Sequence, residues 1–237
     1  GNLATNMANQ EKILQGGALQ PLISLARRDN GDLDSQRYAV FALTNVCATR
    51  ANHPQLLESG IVSLMAQLME DQDTEIRNAG CFAIANLASN SNNHDTIIRE
   101  GCLVPLIAFT AAHDPQAQLR GVQALRGLST DEENRAEIVR RGGLKPLLDL
   151  TQTEDVEVQM EVLATLCNLS LCGCIGENPL QFLKAMQIES LVSFLCSADT
   201  TYRLFGAVTL GNIASDLGLQ VTRALQMRPR ARRGTCF

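Results

Sequence analysis

The first residues in this sequence that could support chemistry are three cysteines close together. Cys172 and Cys174 lie five and seven residues after Cys167, and thiolates at short spacing are typical zinc ligands. The sequence has no matching second pair, and its three histidines all lie far before Cys167, so the spacing favours no metal or cofactor. A metal-binding or enzymatic protein built on these three cysteines remains the alternative. The cysteines inside apolar runs are instead predicted to be reduced and buried: Cys47, Cys81, Cys167 and Cys196.

The second candidate chemistry comes from asparagines that recur at a nearly constant distance. Each is followed by a short apolar or small-residue run, as in "NVCA", "NLAS", "NLSL" and "NIAS". The series begins with Asn2, has Gly127 in one slot, and otherwise consists of Asn45, Asn86, Asn168 and Asn212. Successive members are separated by 43, 41, 41, 41 and 44 residues. A side-chain amide can both donate to and accept from an extended backbone, so an ordered row of asparagines predicts a surface that binds a peptide.

Charge and motif content exclude several other function classes. The formal charge is −5, and five arginines between residues 221 and 237 conceal a more acidic body. Without them, the balance of 20 basic and 25 acidic residues becomes −10, which disfavours non-specific binding of nucleic acid. The sequence has no nucleophile-elbow, P-loop, zinc-protease or dinucleotide-binding motif. No enzymatic activity is therefore expected.

The asparagine period belongs to a larger unit with three segments. A short segment opens with an asparagine as its expected N-cap, at Asn9, Asn52, Asn93, Asn134 and Asn178. A medium segment follows a glycine, with leucines and isoleucines at helical spacing. A longer segment, rich in alanine and glycine, ends with the asparagine of the series. No stretch alternates with the period of a strand, so the unit predicts three helices and an all-α protein.

Residues 52–89, "NHPQLLESGIVSLMAQLMEDQDTEIRNAGCFAIANLAS", form a unit that resembles the armadillo repeat. The resemblance implies a right-handed α-α superhelix with three helices per repeat of about 42 residues. The solenoid is expected over residues 1–216, with a basic tail or the start of a truncated repeat at 217–237. After the end of one repeat at 1–8, repeats are expected at about 9–50, 51–91, 92–132, 133–176 and 177–216.

The same resemblance implies that the third helices line a concave groove in which Asn45, Asn86, Asn168 and Asn212 hold a partner. Armadillo proteins of nuclear import have tryptophan four residues before each asparagine, whereas this chain has none and places Phe41 and Phe82 in two of these slots. Binding of a nuclear-import signal is therefore not expected. Arginines recur on the third segments and favour an acidic or phosphorylated partner: Arg37, Arg77, Arg120, Arg126 and Arg203.

These observations predict a non-catalytic scaffold or adaptor that binds an extended or helical partner segment. The repeats are most similar to the vacuolar-adaptor and armadillo-repeats-only branch, and a structural part of a flagellum or cilium is the alternative. A cytoplasmic location is expected, with organelle or flagellar association in those two cases. Residues 1–5 fit a myristoylation pattern, but the register predicts a helix end there. Membrane contact is expected only through a lipid anchor or a partner outside the chain.

Overall fold

The structure is a computed structural model that describes residues 2–27, 32–171 and 188–227. Throughout these ranges the regular structure is helical, and no strand is present. None of the helices in the described ranges has the length and hydropathy needed to cross a bilayer. The prediction of an all-α solenoid is confirmed. The candidate metal ligands Cys172 and Cys174 lie outside the described residues.

The helices occur in the predicted sets of three, and the third helix is the longest wherever all three are described. The first helix is shorter than the second in the second and third repeats, as predicted, but longer in the first and fourth. The first helices of the repeats are α1 (Met7–Gln15), α4 (His53–Glu58), α7 (His94–Arg99) and α10 (Glu132–Arg140). The second helices are α2 (Leu19–Ala26), α5 (Ile61–Leu68), α8 (Leu103–Thr110), α11 (Leu144–Asp149) and α13 (Ile188–Leu195). The third helices are α3 (Leu33–Cys47), α6 (Thr74–Ala88), α9 (Pro115–Leu128), α12 (Val156–Leu169) and α14 (Thr200–Met227). Short 3-10 turns occupy Asn2–Thr5, Arg50–Asn52, Ser91–Asn93 and Leu150–Gln152.

Two of these bounds differ from the expected repeat limits. The segment before α1 is a 3-10 turn rather than the end of an α-helix. Helix α14 runs without interruption to Met227, so it crosses the limit expected at residue 216.

The third helices stack on one another in chain order, each against the next from α3 to α14. Their inward positions repeat with the unit and are almost fully buried, as at Leu43, Ile84, Leu125 and Leu166. Each repeat thus buries its apolar face against its neighbours, which makes the core a continuous row rather than a single centre.

Each third helix begins at an aspartate, and these aspartates form a second period in the sequence. In four of these helices the aspartate carboxylate accepts a hydrogen bond from a backbone N–H of the first turn: Asp32 at α3, Asp73 at α6, Asp114 at α9 and Asp155 at α12. Asp199 accepts from Thr201 N in the same way at α14. An N-cap carboxylate satisfies a free backbone donor and stabilises the helix dipole. These aspartates explain where each third helix starts.

The asparagines expected as N-caps of the first helices have another role. Asn52 and Asn93 are buried and make no cap hydrogen bond. Their amides instead donate to the carbonyls of Val46 and Leu87, at 3.0 and 2.8 Å. The N-cap prediction is therefore wrong at these two positions, because the amides satisfy carbonyls at the end of the preceding third helix.

The residue after each of these asparagines makes a related contact. In four successive repeats it bonds the carbonyl six residues earlier, where the third helix turns into the first: Gln10, His53, His94 and Arg135 bond Ala4, Cys47, Ala88 and Ser129. We call these four bonds the elbow bonds. They stabilise the turn between the third helix of one repeat and the first helix of the next. The residue type differs between repeats, but the position of the donor side chain is the same.

Candidate functional site

The candidate site is the third-helix face, which we define as the exposed side of α3, α6, α9, α12 and α14. It presents the asparagine series and the residues four and seven positions before it along each helix. In α3 these are Tyr38, Phe41 and Asn45, and the equivalent residues of α6 are Ala79, Phe82 and Asn86. Stacking of the third helices aligns these positions from one repeat to the next.

Three asparagines of the series connect each third helix to the one before it. The Nδ2 of Asn168 donates to the Oγ of Ser129 at 3.0 Å, and that of Asn212 donates to the Oγ of Ser170 at 3.0 Å. Asn86 Nδ2 is 3.4 Å from the Thr44 carbonyl oxygen. Asn45 differs, since its Nδ2 donates within its own helix to the Phe41 carbonyl at 2.9 Å. The donor side of the amide row thus contributes to packing between repeats.

The acceptor side of the same amides is not used within the described part of the chain. The Nδ2 atom is the hydrogen-bond donor in all four asparagines: Asn45, Asn86, Asn168 and Asn212. Their Oδ1 atoms accept no hydrogen bond from any described residue. All four residues are partly exposed. Each oxygen is therefore available to accept an N–H from another molecule, while the amide is held in place by its own donor bond.

Gly127 interrupts the row because two helices approach closely at this point. A Cβ atom at residue 127 would lie 2.5 Å from the Ala88 carbonyl oxygen and 2.9 Å from its carbon. Any side chain here would overlap backbone atoms of α6. Glycine thus permits the tight contact between α6 and α9, and the asparagine of the other repeats does not fit.

Aromatic side chains make the α3 end of the face apolar. Tyr38 is 66% exposed and Phe41 is 44% exposed. Together with Arg37, Glu75, Ile76 and Ala79 they line a cavity of about 270 Å³ between α3 and α6. Phe82, one repeat further on, lies under the Arg120 guanidinium, which is 3.9 Å from the ring centroid. Exposed aromatic surface of this kind is typical of binding sites.

The five arginines do not form a free row of positive charge. Arg77 and Arg203 donate to carbonyls in the loops before their own helices, at 2.7 Å. Arg126 makes two hydrogen bonds of 2.9 Å to Glu161. Arg37 lies 2.5 Å from Asp73 and 3.4 Å from Glu75. The sequence placed these guanidiniums near the face, but it could not reveal that intramolecular acceptors already engage them.

The Arg37–Asp73 pair predicts a pH-dependent contribution to stability. The side-chain hydrogen bond from Arg37, followed by the backbone N–H of Ile76, lowers the pKa of Asp73 below its ordinary value. A lowered folded-state pKa stabilises the protein above the unfolded-state value of about 3.9, and this contribution is lost as pH falls through the folded-state value. The Arg37→Gln variant should be less stable than the parent at neutral pH, and the difference should shrink on acidification. Urea midpoints across pH, with Arg99→Gln as the exposed control, test this; a constant difference would contradict it.

The described cysteines are not arranged as a metal site. In the ranges that the structure describes, no three side chains of His, Cys, Asp or Glu are close enough to hold an ion. Burial raises the pKa of the Cys47 and Cys102 thiols to about 12 and also raises the pKa of Cys81. Cys167 is half-buried, whereas Cys196 is exposed. The prediction of a buried thiol is wrong at Cys196, because this residue follows the last turn of α13.

These environments predict how fast each thiol reacts. Cys196 should be modified by a thiol reagent in the native protein at a rate typical of an exposed cysteine. Cys47, Cys81 and Cys102 should react only at the rate of unfolding, since burial removes both access and thiolate. Mass spectrometry of peptides after timed labelling at pH 8 measures each site separately. Rapid native labelling of Cys81 would contradict the buried, protonated state.

Comparison with known proteins agrees with this geometry. The family model described as "Armadillo/beta-catenin-like repeat" matches residues 131–171, which contain α10, α11 and α12. A designed armadillo repeat protein is 23% identical, with 90% of this chain and 89% of the designed chain covered at a TM-score of 0.80. Residues 131–171 thus match an armadillo repeat, and the chain has the armadillo-repeat solenoid fold.

Two further structures are similar to this chain. An engineered protein from the Northeast Structural Genomics Consortium is 25% identical, with 91% of this chain and 87% of the other covered at a TM-score of 0.77. A designed armadillo repeat protein in complex with the peptide (KR)4 is 23% identical, with 90% and 89% covered at a TM-score of 0.78. No curated protein matches the sequence.

Proposed function

We propose that this chain is an armadillo-repeat protein that serves as a non-catalytic adaptor, and that its third-helix face, the concave groove of the solenoid, binds an extended segment of a partner protein. The observation that carries the proposal is the row of unused Oδ1 acceptors on Asn45, Asn86, Asn168 and Asn212. A partner in extended conformation has backbone N–H groups that need acceptors, and the amides provide them at repeating positions.

The peptide complex of the designed relative supports the mode of binding but not the same partner chemistry. That protein was solved with (KR)4, whereas this chain has aromatic rings at Tyr38, Phe41 and Phe82, the last already occupied by its own Arg120. Because Tyr38 and Phe41 border an open cavity, we expect the partner segment to insert an apolar side chain between α3 and α6.

The charges on the face argue against an acidic partner. Arg37 and Arg126 are each paired with carboxylates, so binding an acidic or phosphorylated segment would require these pairs to break. Close to Tyr38, the carboxylates of Asp34 and Glu75 are 80% and 74% exposed. We therefore favour a partner segment with an apolar anchor and no net negative charge over the acidic segment that the arginine spacing suggested.

A site-specific photocrosslinking experiment tests the proposal. A photoreactive phenylalanine at position 41 should capture a partner from cell extract, whereas the same residue at position 25 should not, although Leu25 on α2 is similarly exposed at 41%. The Tyr38→Ala/Phe41→Ala variant should bind the captured partner at least about tenfold more weakly. Leu25→Ala is the matched control for loss of exposed apolar area. Unchanged binding by the double variant, with its helical circular dichroism intact, would place recognition elsewhere and refute the proposal.

A further inference from the structure

The second helix of one repeat, α8, departs from the pattern of the other second helices. Its sequence LVPLIAFT contains a single polar residue, Thr110, which is buried. Val104 is 53% exposed, and Ala108 is also exposed on the same side. A helix that is apolar on all sides is normally covered on all sides. The outer side of α8 is uncovered in this chain.

Comparison between repeats shows that the change is local. The positions equivalent to Val104 and Ala108 hold Gln20 and Ser24 in α2, and Ser63 and Gln67 in α5. In α11 they hold Lys145 and Asp149, whose side chains form an ion pair at 2.8 Å. The fold therefore tolerates polar residues at both positions, and packing within the solenoid does not require the apolar pair on α8.

The uncovered side of α8 borders a cavity of about 420 Å³. The cavity lies where α5, α6, α8 and the start of α9 meet. Its apolar lining includes Met69, Val104, Pro105, Phe109 and Ala112. This volume is within the range of ligand-binding clefts and admits one or two large apolar side chains.

The polar rim of the cavity has two carboxylates, Glu70 and Asp114, against one guanidinium, so its charge is −1 with His113 neutral. Glu70 is exposed and makes no ion pair with any described residue. Asp114 accepts from Asn78 Nδ2 and from the Gln116 backbone, both neutral donors. The lining contains one guanidinium, that of Arg77, which donates to the carbonyls of Asp71 and Gln72. A partner with a cation next to its apolar anchor would complement this rim.

The shape of the α8 surface suits a helix. Val104 and Ala108 are four residues apart on α8, and Ala112, in the bend after the helix, lines the same cavity. Residues at this spacing form a ridge, and small side chains on it allow another helix to pack closely. An amphipathic helix can supply apolar side chains at matching intervals while its polar side stays in water.

We propose that the α8 surface, defined by Val104, Pro105, Ala108 and Ala112 with the carboxylates of Glu70 and Asp114, docks a basic amphipathic helix of a partner protein. This site is separate from the third-helix face. The proposal stands independently of peptide binding in the groove.

The neighbouring repeat provides a variant that tests this site. Val104→Lys/Ala108→Asp transfers the ion pair of α11 onto α8, adds no net charge and uses residues that the fold already accommodates. The probes are two synthetic amphipathic helices of equal length, one of leucine and lysine and the other of leucine and glutamate. Calorimetry measures their affinity, and hydrogen exchange locates the bound peptide.

The Leu/Lys helix should bind the parent protein about tenfold or more tightly than the Leu/Glu helix and should protect amides of α8. The Val104→Lys/Ala108→Asp variant should bind the Leu/Lys helix about tenfold more weakly than the parent does. The Tyr38→Ala/Phe41→Ala variant should bind it with the affinity of the parent. Equal binding by parent and Val104→Lys/Ala108→Asp would overturn the proposal, as would protection of the third helices instead of α8. A parent protein that dimerises in sedimentation while the Val104→Lys/Ala108→Asp variant remains monomeric would also overturn it, because the surface would then bind a second copy of the chain.

Discussion

Replacing Gly127 with asparagine, the residue that the other repeats have in this slot, should destabilise the protein. The added Cβ would lie 2.5 Å from the Ala88 carbonyl oxygen. Because this neighbour is backbone in the middle of the solenoid, α6 and α9 would have to move apart. Overpacking of a close contact costs about 1–3 kcal/mol, and the immobile backbone places this case at the upper end. Urea unfolding followed by circular dichroism measures the loss.

Gly211 provides the matched control for this substitution. It also lies in a third helix, α14, but a Cβ at this position meets no atom within 4 Å. Gly211→Ala should therefore stabilise the helix by about 0.5–1 kcal/mol, because alanine loses less conformational entropy than glycine on folding. Opposite signs for the two variants are the expected result. A neutral Gly127→Asn would mean that α6 and α9 separate without cost.

The second large effect is expected at Asn93, which connects two repeats through a buried hydrogen-bond network. Its Nδ2 lies 2.8 Å from the Leu87 carbonyl oxygen and 2.8 Å from His53 Nδ1. Both Asn93 and His53 are almost completely buried. Asn93→Leu would remove the shorter bond to each acceptor, leaving only the longer contacts of Asn90 N with the Leu87 carbonyl at 3.2 Å and of Asn90 Nδ2 with His53 Nδ1 at 3.4 Å. Loss of two buried hydrogen bonds should cost about 1–3 kcal/mol in total.

The neighbouring residue Asn92 controls for the loss of an asparagine at this turn. It is exposed, and Asn92→Ala should change the free energy of unfolding by less than about 0.5 kcal/mol. Amide hydrogen exchange should show faster opening of α4 and α7 in Asn93→Leu than in Asn92→Ala. Equal exchange in the two variants would show that water replaces the lost donor.

The helices and their order were predictable because the repeat period is independent of any single residue. Six markers in register indicated three helices per unit even where one marker is glycine. The N-cap aspartates at residues 32, 73, 114 and 155 have the same period of 41 residues, so this signal was available in the sequence and was missed. The asparagines before the first helices were assigned as caps, since sequence alone does not show whether an amide accepts from its own helix or donates to a preceding one.

The roles of the site residues were less predictable, because they depend on distances between repeats. An asparagine that binds a partner and one that binds Ser129 or Ser170 are identical in sequence. Arg126 and Glu161 are 35 residues apart, and only stacking of α9 on α12 brings them together. The absence of a side chain at Gly127 appeared to be a defect in the row, whereas the structure shows that glycine is required for contact with Ala88.

The Gly127–Ala88 contact also has a mechanical consequence. A solenoid under tension lengthens by opening the joints between neighbouring repeats, and the joints of this chain are unequal. At the α6–α9 joint, helix backbone meets helix backbone with no side chain between them at Gly127, whereas side-chain amides connect α9 with α12 and α12 with α14. Under tension, the contacts between α9, α12 and α14 should therefore separate first. The contact between α6 and α9 should be the last to open.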